Sequence, residues 1–305
     1  MTLPPTLPPR AGGEGTARPG AGPAGRFRTW GRFVRFEHTL FSLPLLFAGV
    51  LLGGGLDVPA RLWVLVLVAG AGARTAALGL NRIIDRRIDA ANPRTAGREL
   101  PSGAMSLAEA WTLVGLGASV YAGAAWWISP LCLALAPLPL AVFVLYPYLK
   151  RVTPWCHLGV GLGLAMAPLG GWFAARLSFE DVGLALLLAG FTALWVAGFD
   201  VIYATLDEVF DRQAGVRSLP AEHGRAKALA IARGLHALAW LCLAALAVWG
   251  LAWLPAAPFV VAVGALLAWE HARAHDIDLA FFRINVWVGF AALAAVAAGV
   301  WGSAG

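Results

Sequence analysis

The sequence is poor in charge and in cysteine. Only 13% of its 305 residues are Asp, Glu, Lys or Arg, whereas 59% are hydrophobic, and this balance excludes an ordinary soluble globular domain. No apolar core precedes a small-residue cleavage site near the start, so no cleavable signal peptide is evident. The cysteines lack the spacing of a metal site or of a disulfide framework. We therefore expect all three to be packing residues: Cys132, Cys156 and Cys242.

Long apolar runs take up most of the chain. The mean hydropathy is +0.72, and the recurring runs have about the 20 residues that a transmembrane helix needs. They are continuously apolar and do not alternate with period two, which favours helices over a β-barrel. We predict an all-α membrane protein with nine spans, at about residues 38–56, 62–82, 107–127, 131–148, 157–175, 182–206, 227–250, 256–272 and 281–301.

The distribution of basic residues indicates the orientation of these spans. Arg and Lys cluster in alternate connections, which places the amino terminus and the long polar loops in the cytoplasm and the carboxyl terminus outside. This topology accounts for the net charge of +6 without a nucleic-acid partner. Residues 1–25, rich in Pro, Gly and Ala, are expected to be a disordered tail. One transmembrane domain over residues 26–305 would follow, in a bacterial-type inner membrane, with no obligate protein partner evident.

Two aspartate-rich segments at the ends of apolar runs resemble each other. A duplicated helical unit would bring such segments together across a pseudo-symmetry axis, where membrane proteins often place a site. Ser106 and Glu109 fit a capping box at the helix start that follows the first copy. The repeated parts are Asp85-x-x-x-Asp89 with Arg98-Glu99-Leu100-Pro101, and Asp207-x-x-x-Asp211 with Arg217-Ser218-Leu219-Pro220.

Helical spacing places the polar residues of each segment on one face. The polar positions advance by four residues in segment 81–89 and by nearly whole turns in segment 200–211. Two such faces across a cavity would suit two Mg²⁺ ions completed by phosphate oxygens. The alternative is that both segments are solvated helix ends paired with nearby arginines. The metal interpretation draws on Asn81, Asp85 and Asp89 on the first face and on Asp200, Asp207 and Asp211 on the second.

Further polar residues lie near these segments. Tyr146 and Lys150 are four residues apart at a helix end and could contact diphosphate oxygens, although they could equally be interfacial anchors. Arg74 lies inside span two, where a cation usually faces the bundle interior; its alternative is a structural ion pair, for example with Asp200. Arg94 could close over a phosphate or could simply be a loop charge that sets topology.

The histidines and the glycine run Gly159-x-Gly161-x-Gly163 are less informative. The glycine run lies inside a span and follows no strand, which indicates close helix packing and not a nucleotide site. Lone histidines near apolar segments are usually satisfied core or interface residues. We expect this role for His38, His157 and His236.

Taken together, the motifs resemble those of the UbiA-type intramembrane aromatic prenyltransferases, from about residue 30 onward. The combination is specific, although any single piece would be weak. The matching pieces are Phe36-Glu37-His38-Thr39-Leu40-Phe41-Ser42-Leu43-Pro44, Asn81-x-x-x-Asp85-x-x-x-Asp89, Gly97-Arg98-Glu99-Leu100-Pro101-Ser102-Gly103, Tyr146-x-x-x-Lys150 and the segment 200–211.

The resemblance implies a nine-helix bundle around a central cavity that opens sideways to lipid and is capped on the cytoplasmic side. It implies Mg²⁺ as cofactor, with Asn81, Asp85, Asp89, Asp207 and Asp211 holding the metal and diphosphate. The expected catalytic residues are Asp85, Asp89, Asp207, Asp211 and Lys150. The expected substrate-binding residues are Asn81, Arg74, Arg94, Tyr146 and Asp200, of which Arg74 looks suited to a carboxylate on the acceptor.

The implied reaction joins a polyprenyl group, from a polyprenyl diphosphate, to an aromatic acid in quinone biosynthesis. Residues 150–158 and 167–172 look most like the branch that uses 4-hydroxybenzoate, and in particular its menaquinone relatives that use 1,4-dihydroxy-6-naphthoate. A cation-coupled transporter with the same carboxylates is the alternative. An enzyme that moves a phosphoalcohol from a nucleotide ranks lower, because its Asp-Gly-x-x-Ala-Arg motif is missing.

Overall fold

The computed structural model describes residues 23–33, 39–276 and 283–303. Within these ranges every regular element is a helix and no strand occurs, as the all-α prediction requires. The helices are α1 (Pro23–Phe33), α2 (Thr39–Gly54), α3 (Ala60–Ala91), α4 (Leu107–Ile128), α5 (Pro130–Leu135), α6 (Pro137–Leu149), α7 (Cys156–Arg176), α8 (Val182–Ala204), α9 (Glu208–Ala214), α10 (Leu219–His223), α11 (Arg225–Gly250), α12 (Trp253–Ala272) and α13 (Asn285–Ser303).

Some predictions fall outside the described residues. These are most of the tail predicted over residues 1–25, the Phe36-Glu37-His38 part of the first motif, and residues 281–282 at the start of the last span. The last three positions of the predicted tail, residues 23–25, belong to helix α1.

Seven helical segments in the described part of the chain, one of them formed by α5 and α6 together, are long and apolar enough to cross a membrane. They establish an integral, multi-pass membrane protein. Helix α2 contributes a shorter apolar segment, Leu43–Gly54, and helix α4 is not among the seven, so the count of nine spans stays a prediction. The seven are Ala60–Ala91, Pro130–Leu149, Cys156–Arg176, Val182–Ala204, Arg225–Gly250, Trp253–Ala272 and Asn285–Ser303.

Helix α3 carries the first acidic segment beyond the apolar layer. It has 32 residues, and at about 1.5 Å per residue such a helix is longer than the roughly 30 Å hydrocarbon core. Its first two thirds are apolar except for Arg61, Arg74 and Thr75, and Asn81, Asp85 and Asp89 follow in the last third. The side chains of Asn81 and Asp85 lie 3.1 Å apart, so the predicted shared face is present in the first segment.

The second acidic segment is not one continuous helix, and the prediction of a single face over residues 200–211 is wrong. Helix α8 ends at Ala204, and a new helix, α9, begins at Glu208 with Asp207 as its N-cap. Between them the backbone makes i→i−3 hydrogen bonds, from Leu206 to Tyr203 and from Asp207 to Ala204. This tight turn separates Asp200 on α8 from Asp211 on α9.

Helix α4 begins as the sequence predicts. The Ser106 hydroxyl accepts a hydrogen bond from the Glu109 backbone, and the Glu109 carboxylate accepts one from the Ser106 backbone at 2.9 Å. This reciprocal pair is a complete capping box, which satisfies two of the free N–H groups at the helix start. It also fixes the end of the long loop that follows α3.

Glycines allow the closest approaches between helices. Gly72 of α3 meets the Gly117 backbone of α4, where an added Cβ would lie 2.7 Å from the Gly117 carbonyl oxygen. An added Cβ on Gly161 of α7 would overlap the Ala193 carbonyl oxygen of α8. The packing role predicted for the glycine run is therefore confirmed at Gly161. At Gly163 the nearest atoms belong to Tyr146, 3.9 Å away, so an added Cβ would make an ordinary van der Waals contact there.

A polar network lies inside the core formed by α8, α11, α12 and α13. The Trp195 indole donates to the Asn285 side chain at 2.6 Å, and the Asn285 amide donates to Glu270 at 2.9 Å. His236 lies 3.1 Å from the Trp195 carbonyl oxygen and 3.0 Å from His271. His236 is thus the satisfied core residue that the sequence predicts, and α12 continues as helix through Glu270.

Replacing Gly161 by Ala should destabilise the protein, because the new methyl group has no room against the α8 backbone. Overpacking of this kind costs about 1–3 kcal/mol. The matched control is Gly123→Ala on α4, where nothing lies within 4 Å of an added Cβ. Thermal unfolding of both purified variants in detergent should show a lower midpoint for Gly161→Ala only. Equal midpoints would contradict the packing role.

Candidate active site

The two acidic segments meet through the loop that follows α3. Asn92, three residues beyond Asp89, donates to Asp207 at 2.8 Å. Arg94 donates to both carboxylate oxygens of Asp207, and its third nitrogen donates to the Tyr203 hydroxyl at 2.7 Å. The guanidinium also lies 5.0 Å from the centre of the Tyr203 ring. Arg94 therefore closes the first loop over the end of α8.

Asp85 is the most buried of the clustered carboxylates, with 2% of its surface exposed. It accepts hydrogen bonds from Lys150 at 2.7 Å and from Asn81 at 3.1 Å, and Arg151 approaches at 3.5 Å. Lys150 caps the end of α6, and Tyr146 lies one turn before it. The structure thus brings the predicted pair Tyr146 and Lys150 to the first acidic segment.

Asp89 pairs with an arginine from the loop that directly follows its own helix. Arg98 donates to both Asp89 oxygens, at 2.8 and 2.9 Å. The neighbouring residue Glu99 forms a second ion pair with Arg82 at 2.9 Å. The motif Arg98-Glu99 therefore binds the loop back onto the helix end that carries the acids.

Asp211 differs from the other three clustered acids because its hydrogen-bond partner is neutral. The Ser218 hydroxyl donates to it at 2.9 Å. Burial raises the pKa of Asp211 to about 6, and the nearby charge of Asp207 acts in the same direction. A buried carboxylate without a cation partner is a ready ligand for a positive ion.

Asp207 and Arg94 stabilise each other's charge. Burial works to raise the pKa of Asp207, but hydrogen bonds from Arg94 and Asn92 outweigh it and lower that pKa below the ordinary value. For Arg94, burial works in the opposite direction, and the hydrogen bond to Asp207 raises the pKa above its usual range. Both groups are therefore charged at neutral pH.

Three of the predicted metal ligands are occupied by basic side chains in this arrangement. Lys150 neutralises Asp85, Arg98 neutralises Asp89 and Arg94 neutralises Asp207. Among the described residues, no group of three or more His, Cys, Asp or Glu side chains is arranged to hold a metal ion. A metal would have to displace the basic side chains from the carboxylates.

An apolar cavity of about 240 Å³ lies beside this charged region, lined by residues of α2 to α7. Its wall is mostly aliphatic and aromatic, with Arg74, Tyr121 and Tyr146 as the main polar contributors. The Nε atom of Arg74 is buried and has no hydrogen-bond partner. Arg74 makes no ion pair with Asp200 or with another described residue, so the structural ion pair is not observed.

Asp200 is brought close to the site but not into the charged cluster. Its carboxylate lies 2.7 Å from His157, which is buried and hydrogen-bonded, as expected of a satisfied core or interface residue. Residue spacing did not identify His157, Asn92 or Arg98 as site residues. Their partners lie on other helices or are reached only through the path of the loop. The Arg98-Glu99-Leu100-Pro101 motif was recognised as repeated, but its ion pairs were not foreseen.

Comparison with known proteins gives this geometry a context. The sequence profile of the UbiA prenyltransferase family matches residues 42–287. A 4-hydroxybenzoate octaprenyltransferase of Sodalis glossinidius is 32% identical over 74% of this chain and 78% of its own length. A polyprenyl transferase of Arthrobotrys oligospora is 36% identical over 46% of this chain, and the match spans only 38% of that relative.

Solved structures agree with the profile. A UbiA homolog from Aeropyrum pernix K1 superposes with a TM-score of 0.75 and 34% identity, over 88% of this chain and 99% of its own. A UbiA homolog from Archaeoglobus fulgidus bound to GPP and Mg²⁺ has a TM-score of 0.67 at 17% identity, over 87% of this chain and 99% of its own. At that identity the likeness concerns the fold alone. The profile and the relatives together show that this multi-pass membrane protein belongs to the UbiA prenyltransferase family.

Proposed function

We propose that the protein transfers a polyprenyl group from a polyprenyl diphosphate to an aromatic carboxylic acid, 4-hydroxybenzoate or 1,4-dihydroxy-6-naphthoate, in respiratory quinone biosynthesis. The carrying observation is that the loop after the first acidic segment is hydrogen-bonded through Asn92 and Arg94 to Asp207 of the second, beside an apolar cavity. The curated relative from Sodalis glossinidius is named for transfer to 4-hydroxybenzoate. Membership of a prenyltransferase family supports the transferase class.

The side chains of the charged region fit Mg²⁺ as cofactor. Their donors are carboxylate and amide oxygens, the ligands that a hard divalent cation prefers. Asp211, buried and hydrogen-bonded only by a hydroxyl, is the position where a positive charge would gain most. The residues that we assign to the metal are Asn81, Asp85, Asp89, Asp207 and Asp211. When bound, the metal would neutralise charge on a leaving diphosphate.

The basic side chains of the site would have a second role when metal and diphosphate are bound. Lys150 and Arg94 contact Asp85 and Asp207, two of the residues that would hold the metal, so both lie within reach of a diphosphate bound through it. Charge-assisted hydrogen bonds from Arg and Lys to phosphate oxygens are strong and directional. We assign Lys150, Arg94 and Tyr146 to the diphosphate, where they stabilise the negative charge that grows as the C–O bond breaks.

The cavity provides for the prenyl chain and for the aromatic acid of the proposed reaction. Its apolar wall fits an isoprenoid chain and excludes the water that would capture an allylic cation. Arg74 reaches the cavity from α3 with an unpartnered Nε, and a buried donor of this kind calls for an acceptor. We assign it to the carboxylate of the aromatic acid. The basic loops next to both acidic segments support an active site that faces the cytoplasm.

The single substitutions Asp85→Asn and Asp207→Asn should each lower kcat about a hundredfold or more, because charge stabilisation at the leaving group is lost. The assay uses Mg²⁺, geranyl diphosphate and 4-hydroxybenzoate or 1,4-dihydroxy-6-naphthoate, with the product identified by mass. Asp57→Asn is the control, since Asp57 is an exposed carboxylate in the loop before α3. Normal turnover of both site variants would refute the metal assignment. Metal-dependent uptake into liposomes without any product would favour a transporter.

Replacing Arg74 by Gln should remove the preference for an acid over its methyl ester. A hydrogen bond to a charged group is worth about 1.5–3 kcal/mol, which corresponds to roughly 10- to 150-fold in kcat/KM for the acid. We expect kcat/KM for the ester, and the KM for geranyl diphosphate, to change little. An equal loss for acid and ester would contradict the assignment of Arg74 to the carboxylate.

A further inference from the structure

His157 joins three parts of the protein near the active site. It is the second residue of α7 and only 3% of its surface is exposed. Its Nδ1 lies 2.7 Å from Asp200 of α8, and its Nε2 accepts the backbone N–H of Leu219, the first residue of α10, at 3.3 Å. Among the described residues, no other side chain forms hydrogen bonds with both Asp200 and the backbone at the start of α10.

The two contacts fix the tautomer of the imidazole ring. A backbone N–H can only donate, so Nε2 must carry a free lone pair toward Leu219. The ring proton therefore sits on Nδ1 and is donated to Asp200, whose oxygen accepts it. A ring held at both nitrogens cannot rotate or flip without breaking one bond. Asp200 is thereby held in one orientation.

The loop on the other side of His157 is itself well anchored. The Arg217 backbone N–H donates to the Lys150 carbonyl oxygen at 2.8 Å, and the Cys156 thiol donates to the Arg217 carbonyl oxygen at 3.4 Å. The next residue, Ser218, holds Asp211. The segment 217–219 is thus a fixed support for His157, and His157 in turn restricts the orientation of Asp200.

Only one Asp200 oxygen is used by this contact. Oδ2 accepts from His157, whereas Oδ1 makes no hydrogen bond with the described residues, and 26% of the side chain is exposed. Asp200 also lies within electrostatic range of Lys150 and of Tyr146, which lines the cavity. Asp200 is not itself one of the cavity-lining residues, but it lies near the cavity wall at Tyr146, and its Oδ1 is free to accept a proton.

We propose that His157 is a positioning residue that orients Asp200 as the proton acceptor of the reaction. This inference rests on the proposed function. After the allylic carbon bonds to the aromatic ring and diphosphate leaves with the C–O electron pair, the substituted ring carbon still carries a hydrogen. The electron pair of that C–H bond returns to the ring, and the proton passes to Oδ1 of Asp200. Asp200 is ionised again when it loses this proton to water after the product has left the site.

Two amide variants separate the contacts of His157. In His157→Asn the side-chain amide reaches about as far as Nδ1, so it can still donate to Asp200 but no longer meets Leu219. In His157→Gln the amide reaches about as far as Nε2, so it can meet Leu219 but not Asp200. Both side chains are neutral and polar. The comparison therefore distinguishes the orientation of Asp200 from support of the loop.

The readout is the isotope effect on kcat, measured on the full-length protein with Mg²⁺, geranyl diphosphate and 4-hydroxybenzoate deuterated beside its hydroxyl group. We expect His157→Gln to lower kcat about tenfold to a hundredfold through misplacement of the base, and to bring out a primary isotope effect as proton loss becomes slow. His157→Asn should keep kcat close to that of the wild type. In a His157→Gln, Asp200→Asn double variant the two losses should not add.

A His157→Gln variant with normal kcat and no isotope effect would overturn the positioning role. Equal losses in the Asn and Gln variants without an isotope effect would also overturn it, since that result describes loop support. Release of diphosphate is followed in the same reactions. If the wild type neither releases diphosphate nor forms a prenylated product, the proposed function itself fails, and this outcome is distinct from a failure confined to His157.

Discussion

The structure depends above all on ion pairs between carboxylates at helix ends and basic side chains elsewhere in the chain. Asp85, Asp89 and Asp207 lie at helix ends next to an apolar cavity, where an uncompensated charge is costly. Asp85 meets Lys150 at the end of α6, whereas Asp89 and Asp207 meet Arg98 and Arg94 of the loop after α3. These ion pairs hold the loop after α3 and the end of α6 against the acidic segments.

The same pairs determine how the site can work. Asp85, Asp89 and Asp207 already have counter-charges, so a metal bound without an anion would leave excess positive charge in the site. Under the proposed function, the acids would hold the metal, and Lys150 and Arg94 would bind the phosphate oxygens. Binding metal and diphosphate together would then cost less than placing either ion in the site alone.

Short-range features of the fold were predictable from the sequence. The spacing of four residues placed Asn81 beside Asp85, and Ser106 with Glu109 gave the cap of α4, because both depend on one helix turn. The break between α8 and α9 was missed, since three i→i−3 turns in an otherwise helical stretch leave no clear trace in the residue types. The predicted count of nine spans is not confirmed, because α2 provides only a short apolar segment and α4 is not among the seven candidate spans.

The partners within the site were harder to predict than its members. The acids, Lys150, Arg94 and Tyr146 were recognised by residue type and motif, and the structure gathers them around the two segments. The contacts of Asn92 with Asp207 and of His157 with Asp200 join residues 115 and 43 positions apart. Such pairs follow from tertiary packing, and a single sequence carries no periodic signal for them.

The bond between Glu270 and Asn285 has a consequence for biosynthesis. The two residues are only 15 positions apart, at facing ends of α12 and α13. An acid in a newly inserted segment would otherwise hinder partitioning into lipid. Since this hairpin supplies its own amide for Glu270, the last two helices can leave the translocon as a pair before they dock onto Trp195 and His236. The order of synthesis and the order of assembly then coincide at the carboxyl end of the chain.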